Sequence, residues 1–123
     1  MLYIASFYAP ENWVGGAYRI SRQHPRGRKV QWESLPFLYP ARELIRAYRA
    51  HDIDFSQFAE EYREGLESRF EQSAEFQEWV RSVPSLGDFT LLCFEREGEP
   101  CHRLVLARWL QERVPSMEVG ALR

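Results

Sequence analysis

Short apolar runs near both ends of the chain bracket a middle section whose apolar positions recur at helical spacing. Residues 2–8, LYIASFY, are rich in β-forming side chains and are ended by Pro10 and Asn12, which predicts a first strand. The Gly15-Gly16 pair interrupts the pattern and residues 17–21 resume it, predicting a second. A parallel neighbour ordinarily needs a crossover of about a dozen residues or more. The two strands are therefore either antiparallel or joined by an unusually compact loop.

Residues 22–39, RQHPRGRKVQWESLPFLY, contain Pro25, Gly27 and Pro36 and keep no period, so they read as a long ordered loop pinned by Trp32, Leu35, Phe37 and Leu38. Loops of that length are uncommon in compact domains and often functional. Pro40 suits the first turn of a helix whose apolar face is Ala41, Leu44, Ile45 and Tyr48. The next helix has the fuller start signal. Asp54 is an N-cap with Gln57 three residues on, and Ile53 and Phe58 stand where a hydrophobic staple would. Its stripe continues through Phe55, Ala59, Tyr62, Leu66 and Phe70. Ser73 caps a shorter helix with Phe76, Trp79, Val80 and Val83 inward, stopped by Pro84 and Gly87.

Residues 88–94 then predict a central strand. It is apolar on both faces from Leu91 to Phe94, the pattern of a strand with helices on both sides. A last helix is expected over 102–114, closed by Pro115, with 116–123 a flexible tail. The elements together predict a single α/β domain over 1–115: a small, mostly parallel sheet of about three to four strands flanked by helices.

Length supports this. At 123 residues the chain can bury a core without staples. No apolar run approaches the roughly 20 residues that span a bilayer, and MLYIASFY lacks the charged n-region of a signal peptide, so a soluble cytoplasmic protein with no membrane partner is expected. In that compartment Cys93 and Cys101 are expected to stay reduced. The formal net charge of -2 conceals a division along the chain. Between Glu11 and Glu33 there is no acidic residue, whereas Arg19, Arg22, Arg26, Arg28 and Lys29 all fall there; residues 52–78 are strongly acidic and read as solvated helix.

The chemistry concentrates in residues 89–113, FTLLCFEREGEPCHRLVLARWLQER. Strand alternation puts Cys93 and Glu95 on one face, at a strand end that feeds a helix start carrying Cys101, His102 and Arg103, the place where open α/β folds bind ligands. On a helix, Cys101 and His102 would project about 100° apart, so a thiol–imidazole pair is expected only between Cys93 and His102. Cys101 is either a thiolate stabilised by the helix N-terminus or, like Cys93, a small buried hydrophobe. Zinc through Cys93, Cys101 and His102 lacks paired C-x-x-C spacing and an obvious fourth ligand, so no metal and no cofactor is assigned. His102 is read either as bonded to a carboxylate such as Glu95 or as a proton-transfer group. Arg103 opposes the helix dipole, which calls for Glu95, Glu97, Glu99 or a bound anion beside it. Ser21, Arg22, Pro25 and Arg26 follow the second strand and could reach the same sheet edge, with Trp13, Tyr18 and Trp32 either stacking on bases or anchoring the core.

The run LLCFEREGEPCHRLVLARWL resembles the signature of the family catalogued as domain of unknown function 488: a strand ending Leu-Leu-Cys-x-Glu, a short turn, then Cys-His-Arg opening a helix. Cys93, Glu95, Cys101, His102 and Arg103 each match. Ile20-Ser21-Arg22 with Pro25-Arg26 is similar to the family's second strand and its Ser/Arg/Pro loop, and the 54–66 helix also resembles the shorter members. Longer members carry a helix between the first two strands, for which residues 9–16 leave no room. The resemblance implies a single α/β domain with these motifs at one cleft, and no established reaction.

Three functions follow as alternatives. One is a binding module for a phosphate-bearing ligand, nucleotide or nucleic acid, held by Ser21, Arg22, Arg26 and Arg103. Another is an enzyme acting on an anionic substrate with Cys93 or Cys101 as nucleophile, His102 as acid/base and Glu95 as orienter. The third is a structural polar network of Glu95, His102 and Arg103.

Overall fold

The computed structural model describes residues 1–30, 32–95 and 99–122. Five strands form one all-parallel sheet in the order β3-β2-β4-β1-β5, where β1 is Leu2–Ser6, β2 Gly16–Arg19, β3 Glu33–Ser34, β4 Phe89–Cys93 and β5 Val119–Leu122. The helices are α1 (Arg42–Arg49), α2 (Phe55–Gln72), α3 (Ala74–Ser82) and α4 (His102–Arg113). No helix among the described residues is long and apolar enough to cross a membrane.

The fully buried β4 is the axis of the sheet. It pairs with β1 along its length, Leu2 opposite Phe89 and Ser6 opposite Cys93, and on its other side with β2, Gly16 opposite Phe89 and Arg19 opposite Leu92. The first two strands are thus parallel and not neighbours, because β4 lies between them. The loop that joins them is the compact alternative: a 3-10 turn at Pro10–Asn12, then Val14, whose N–H donates to Thr90 Oγ1 at 2.8 Å. Gly15 makes the close approach possible. Its φ is +67°, and a Cβ there would fall 1.9 Å from the carbonyl oxygen of Asp88.

Two strands lie where the sequence offered no period. The long loop contributes two-residue β3, and the segment expected to be a tail contributes β5, with Leu2 N–H donating to Glu118 O at 2.8 Å. Both are edge strands whose backbone pairing, rather than a side-chain pattern, places them. The ring of Tyr3 packs so closely over Gly120 that a Cβ there would come within 2.3 Å of it.

The two faces of the sheet are covered differently. Leu2, Ile4, Leu91 and Cys93 pack with Phe58, Tyr62 and Leu66 of α2, Phe76 and Val80 of α3, and Leu106, Trp109 and Leu110 of α4. The opposite face, Ala5, Phe7 and Leu92, is covered by Trp13, Trp32 and Phe94 instead of by helices. This corrects the expectation of helices on both sides: the segments after β1 and β2 carry tryptophans large enough to seal that face. Trp13 donates its indole N–H to Ser6 O at 2.9 Å and packs edge-on against Trp32, while Tyr18 packs against Phe89. These aromatics are core anchors.

The helix starts follow their caps. Asp54 accepts from Gln57 N–H at 2.8 Å and Ser73 from Phe76 N–H at 3.1 Å, each meeting an amide that the helix itself leaves unbonded. Tyr62 is buried and donates its hydroxyl to Leu38 O at 2.7 Å, which ties α2 to the loop before α1.

Candidate functional site

The chain leaving β2 turns to β3 on one side of the sheet, whereas the chain leaving β4 runs through α4 to β5 on the other. The two connections part between neighbouring strands, which opens a crevice at their carboxyl ends, as open parallel sheets do at such a switch point. A cleft of about 750 Å³ lies there, within the roughly 300–1,000 Å³ of small-molecule sites. Ser21, Arg22 and Gln23 line it from β2, Phe94 and Glu95 from β4, and Pro100, Cys101 and His102 from the start of α4. The far wall is α1, with Phe55 and Phe58 of α2 adding apolar surface.

Four arginines face this cleft: Arg22, Arg42, Arg46 and Arg49. The last three recur along α1 at spacings of four and three, which puts them on one helix face. The sequence reading took from this helix only its apolar face. The missed signal was a second stripe of like charge, and only the position of α1 over the strand ends turns it toward a site. None of the four forms an ion pair among the described residues. Arg22 is held in place by donating to Pro40 O at 3.2 Å and by lying over the Tyr39 ring, 5.6 Å from its centroid. Its Nε is buried with no hydrogen-bond partner among the described residues. Ser21 also lines the cleft and spends its hydroxyl on Gln23 O at 2.7 Å, which shapes the loop. Arg26 stands apart, in an adjoining groove with Tyr8 and His24 that shares Gln23 and Phe94 with the main cleft.

At the inner end of the cleft the start of α4 departs from the ordinary helix N-terminus. Its N-cap is Cys101, whose Sγ accepts from Arg103 N–H at 3.5 Å. Because the cap residue is extended, with φ -150° and ψ 147°, the helical 100° offset does not apply to it. Cys101 Sγ consequently comes to 3.7 Å from His102 Nδ1. The thiol–imidazole neighbour is therefore Cys101, correcting the expectation that only Cys93 could serve.

His102 is bonded not to Glu95 but to the carbonyl of Ile20, at 3.0 Å from Nε2. A carbonyl only accepts, so Nε2 carries the proton and Nδ1 of the neutral ring turns an open lone pair toward Cys101. Burial is the main reason that the His102 pKa is pushed down to about 4; the Ile20 carbonyl works against it and Arg103 adds to it. Tyr62 packs edge-on against the ring.

Arg103 is buried behind the cleft and does not line it. Its Nη1 donates to Cys93 Sγ at 3.1 Å and to Glu95 O at 2.9 Å, so a sulfur and a backbone carbonyl are among its partners. Glu97, another partner suggested by the sequence, lies outside the described residues. Cys93 is also buried and off the cleft, with Glu95 Oε2 3.2 Å from its sulfur.

The two cysteines face each other with their Cα atoms 7.8 Å apart, wider than the roughly 4.4–6.8 Å over which a disulfide is ordinarily bridged. Strand alternation turns Cys93 toward α4, and Cys101 caps that helix facing it, so the sulfurs meet across the strand-to-helix turn. The donor atoms of Cys93, Cys101 and His102 lie within 4.8 Å of one another, a set that zinc uses when a fourth ligand completes it.

No curated protein and no solved structure matches the chain. A family model described as DUF488-N3a, the active DUF488-N3 subclade, matches residues 4–114, a span from β1 to the end of α4 that takes in every residue of the cleft. The chain thus belongs to the domain of unknown function 488 family, in its DUF488-N3a subclade.

Proposed function

We propose that the cleft binds a small phosphate-bearing ligand of nucleotide type. The single observation that carries this reading is the convergence of Arg22, Arg42, Arg46 and Arg49 on one concave site, without ion-paired carboxylates among the described residues. Guanidinium groups grip phosphate through paired N–H donors, and a buried Arg22 Nε without a partner among the described residues is the kind of donor that a ligand oxygen satisfies. The wall between the arginines is apolar, from Ile45, Tyr48, Phe55 and Phe58. A ligand with an anionic end and a flat apolar end fits both surfaces. Glu95 is the carboxylate in the lining; it stands at the cysteine end, away from the α1 arginines in sequence and element.

A thermal-shift series on the reduced protein with nucleoside mono-, di- and triphosphates tests the reading, since a ligand that binds the folded state raises its melting temperature by mass action. Arg22→Ala and Arg46→Ala should each weaken the affinity by roughly tenfold or more. Single-stranded oligonucleotides form a separate arm. Binding by them that fades steeply with salt would widen the ligand class to nucleic acid. No shift with any phosphate compound would sink the proposal and favour a purely structural role for the Glu95, His102 and Arg103 cluster.

A second reading is favoured by one distance, the 3.7 Å between Cys101 Sγ and His102 Nδ1. A thiol beside the lone pair of a neutral imidazole, at a helix N-terminus, is a nucleophile paired with its base. In that reading Cys101 reacts with what the arginines hold.

A further inference from the structure

We propose that Cys101 and Cys93 form an attacking and resolving pair that exchanges with an anionic low-molecular-weight disulfide bound in the cleft. The inference rests on the reading of the cleft as an anion site and adds a second activity to it.

The two sulfurs hold unequal positions. Cys101 lines the cleft, whereas Cys93 is buried behind it and is not part of the lining. A sulfur arriving through the cleft meets Cys101 first, and the Cys93 sulfur stands against the Cys101 sulfur from behind. Arg103 serves both sulfurs, giving its backbone N–H to Cys101 and its guanidinium to Cys93, and a donor or a fixed positive charge at sulfur favours the thiolate that attacks. Two acceptors stand ready for the protons: His102 Nδ1 beside Cys101 and Glu95 Oε2 beside Cys93. The arginines of α1 and Arg22 match a substrate that carries carboxylates.

The steps balance. In the reduced protein the Cys101 thiol passes its proton to His102 Nδ1, and the thiolate attacks one sulfur of R–S–S–R. A Cys101–S–S–R bond forms, the substrate S–S bond breaks, and the departing RS⁻ takes the proton from His102. The Cys93 thiol passes its proton to Glu95 and its thiolate attacks Cys101 Sγ. The mixed disulfide breaks, the Cys93–Cys101 bond forms, and the second RS⁻ takes the proton from Glu95. Two protein thiols are oxidised and R–S–S–R is reduced to two RSH.

The test treats the reduced full-length chain with oxidised glutathione and follows intact mass. The wild type should pass to an internal disulfide without lasting adduct, and Cys93→Ser should stop with one glutathionyl group on Cys101. Cys101→Ser should form no adduct at the other cysteine. Uncharged hydroxyethyl disulfide should react roughly tenfold more slowly or worse, and Arg42→Ala with Arg46→Ala should remove the difference. Because Cys93→Ser could fold poorly, limited alkylation of reduced wild type supplies an independent arm: iodoacetamide should label Cys101 well before Cys93. Equal rates with both disulfides, first labelling of Cys93, or reactivity no greater than that of free cysteine would each overturn the proposal. A thermal shift with nucleotides that survives in the Cys93→Ser, Cys101→Ser double variant separates the two readings, since exchange can fail while phosphate binding holds. Exchange without any nucleotide shift is the reverse case.

Discussion

The starts of α2 and α4 are made of opposite materials. Asp54 caps α2 with a carboxylate at 2.8 Å from the Gln57 amide, at an exposed position where water solvates whatever the cap does not. Cys101 caps α4 with a sulfur at 3.5 Å, buried, followed at once by a histidine and an arginine that are buried as well. The first arrangement satisfies local rules. The second breaks three of them: a weak acceptor at the cap, a cation in the first turn against the helix dipole, and titratable side chains out of water. Where a fold keeps such a costly terminus, the local conflict marks the region in which the structure serves something besides stability.

The largest way to break that contrast is at Arg103. Replacing it by Leu removes the guanidinium donors to Cys93 Sγ and to Glu95 O while keeping a comparable apolar stem. Denaturant unfolding should report a loss of about 2–4 kcal/mol, because the Glu95 carbonyl loses a charged partner at a part-buried site. A loss below 1 kcal/mol would mean that the buried cation does not hold the α4 start together.

Nearly as large is the response to acid. In the unfolded chain His102 titrates at 6.5, and in the fold burial pushes it down to about 4. Between those values the unfolded chain binds the proton and the folded one does not, so unfolding gains on folding as pH falls. The stabilising effect is complete above 6.5, is lost progressively down to about 4, and falls no further below. The full loss is about 3 kcal/mol. The groups facing the ring are Arg103, Cys101 and Tyr62, with the Ile20 carbonyl at Nε2. His102→Gln should flatten the stability profile over this window, and urea midpoints measured at pH values across it decide the matter. The α2 start has no counterpart to this slope.

These residues also show what sequence can and cannot yield. The α2 start was legible because capping is local: Asp54, Gln57 and the apolar positions after them lie within one turn of chain. Ser73 was legible for the same reason, and so was β4, whose five consecutive buried residues announce a central strand. The α4 start was found as a place and misread as a geometry. Whether Cys101 is the last extended residue or the first helical one decides where its sulfur points, and a shift of one residue turned an excluded pair into neighbours 3.7 Å apart. The arginines of α1 were invisible as a site for another reason. Arg42, Arg46 and Arg49 are exposed on a short helix without buried residues, and only tertiary placement over the strand ends gives them a common target. β5 depends likewise on an unpaired edge of β1 that no feature of residues 119–122 announces.

Asp54→Ala sharpens the comparison from the other side. It should cost about 1 kcal/mol, the usual worth of a side-chain N-cap, and leave the reactivity of Cys101 and the nucleotide shift unchanged. A change in either would show that α2 transmits its state to the cleft through Phe55 and Phe58, which line it.

The smallest expected effect has the opposite sign and speaks most directly to the trade between stability and chemistry. Cys101→Ser keeps the side chain in place and exchanges a weak sulfur acceptor for an oxygen, the kind of cap that Ser73 already provides at α3. With the wild type held reduced, the variant should be more stable by about 0.5 kcal/mol, since a hydroxyl accepts the Arg103 amide better than a thiol does. The same substitution removes every sulfur-dependent step at the cleft. A gain in stability together with lost thiol reactivity would mean that the cysteine stands at this cap at the expense of the fold. A loss of stability under the same reducing conditions would instead mean that the buried thiol is there for packing against Cys93, and the contrast between the two helix starts would become one of burial alone.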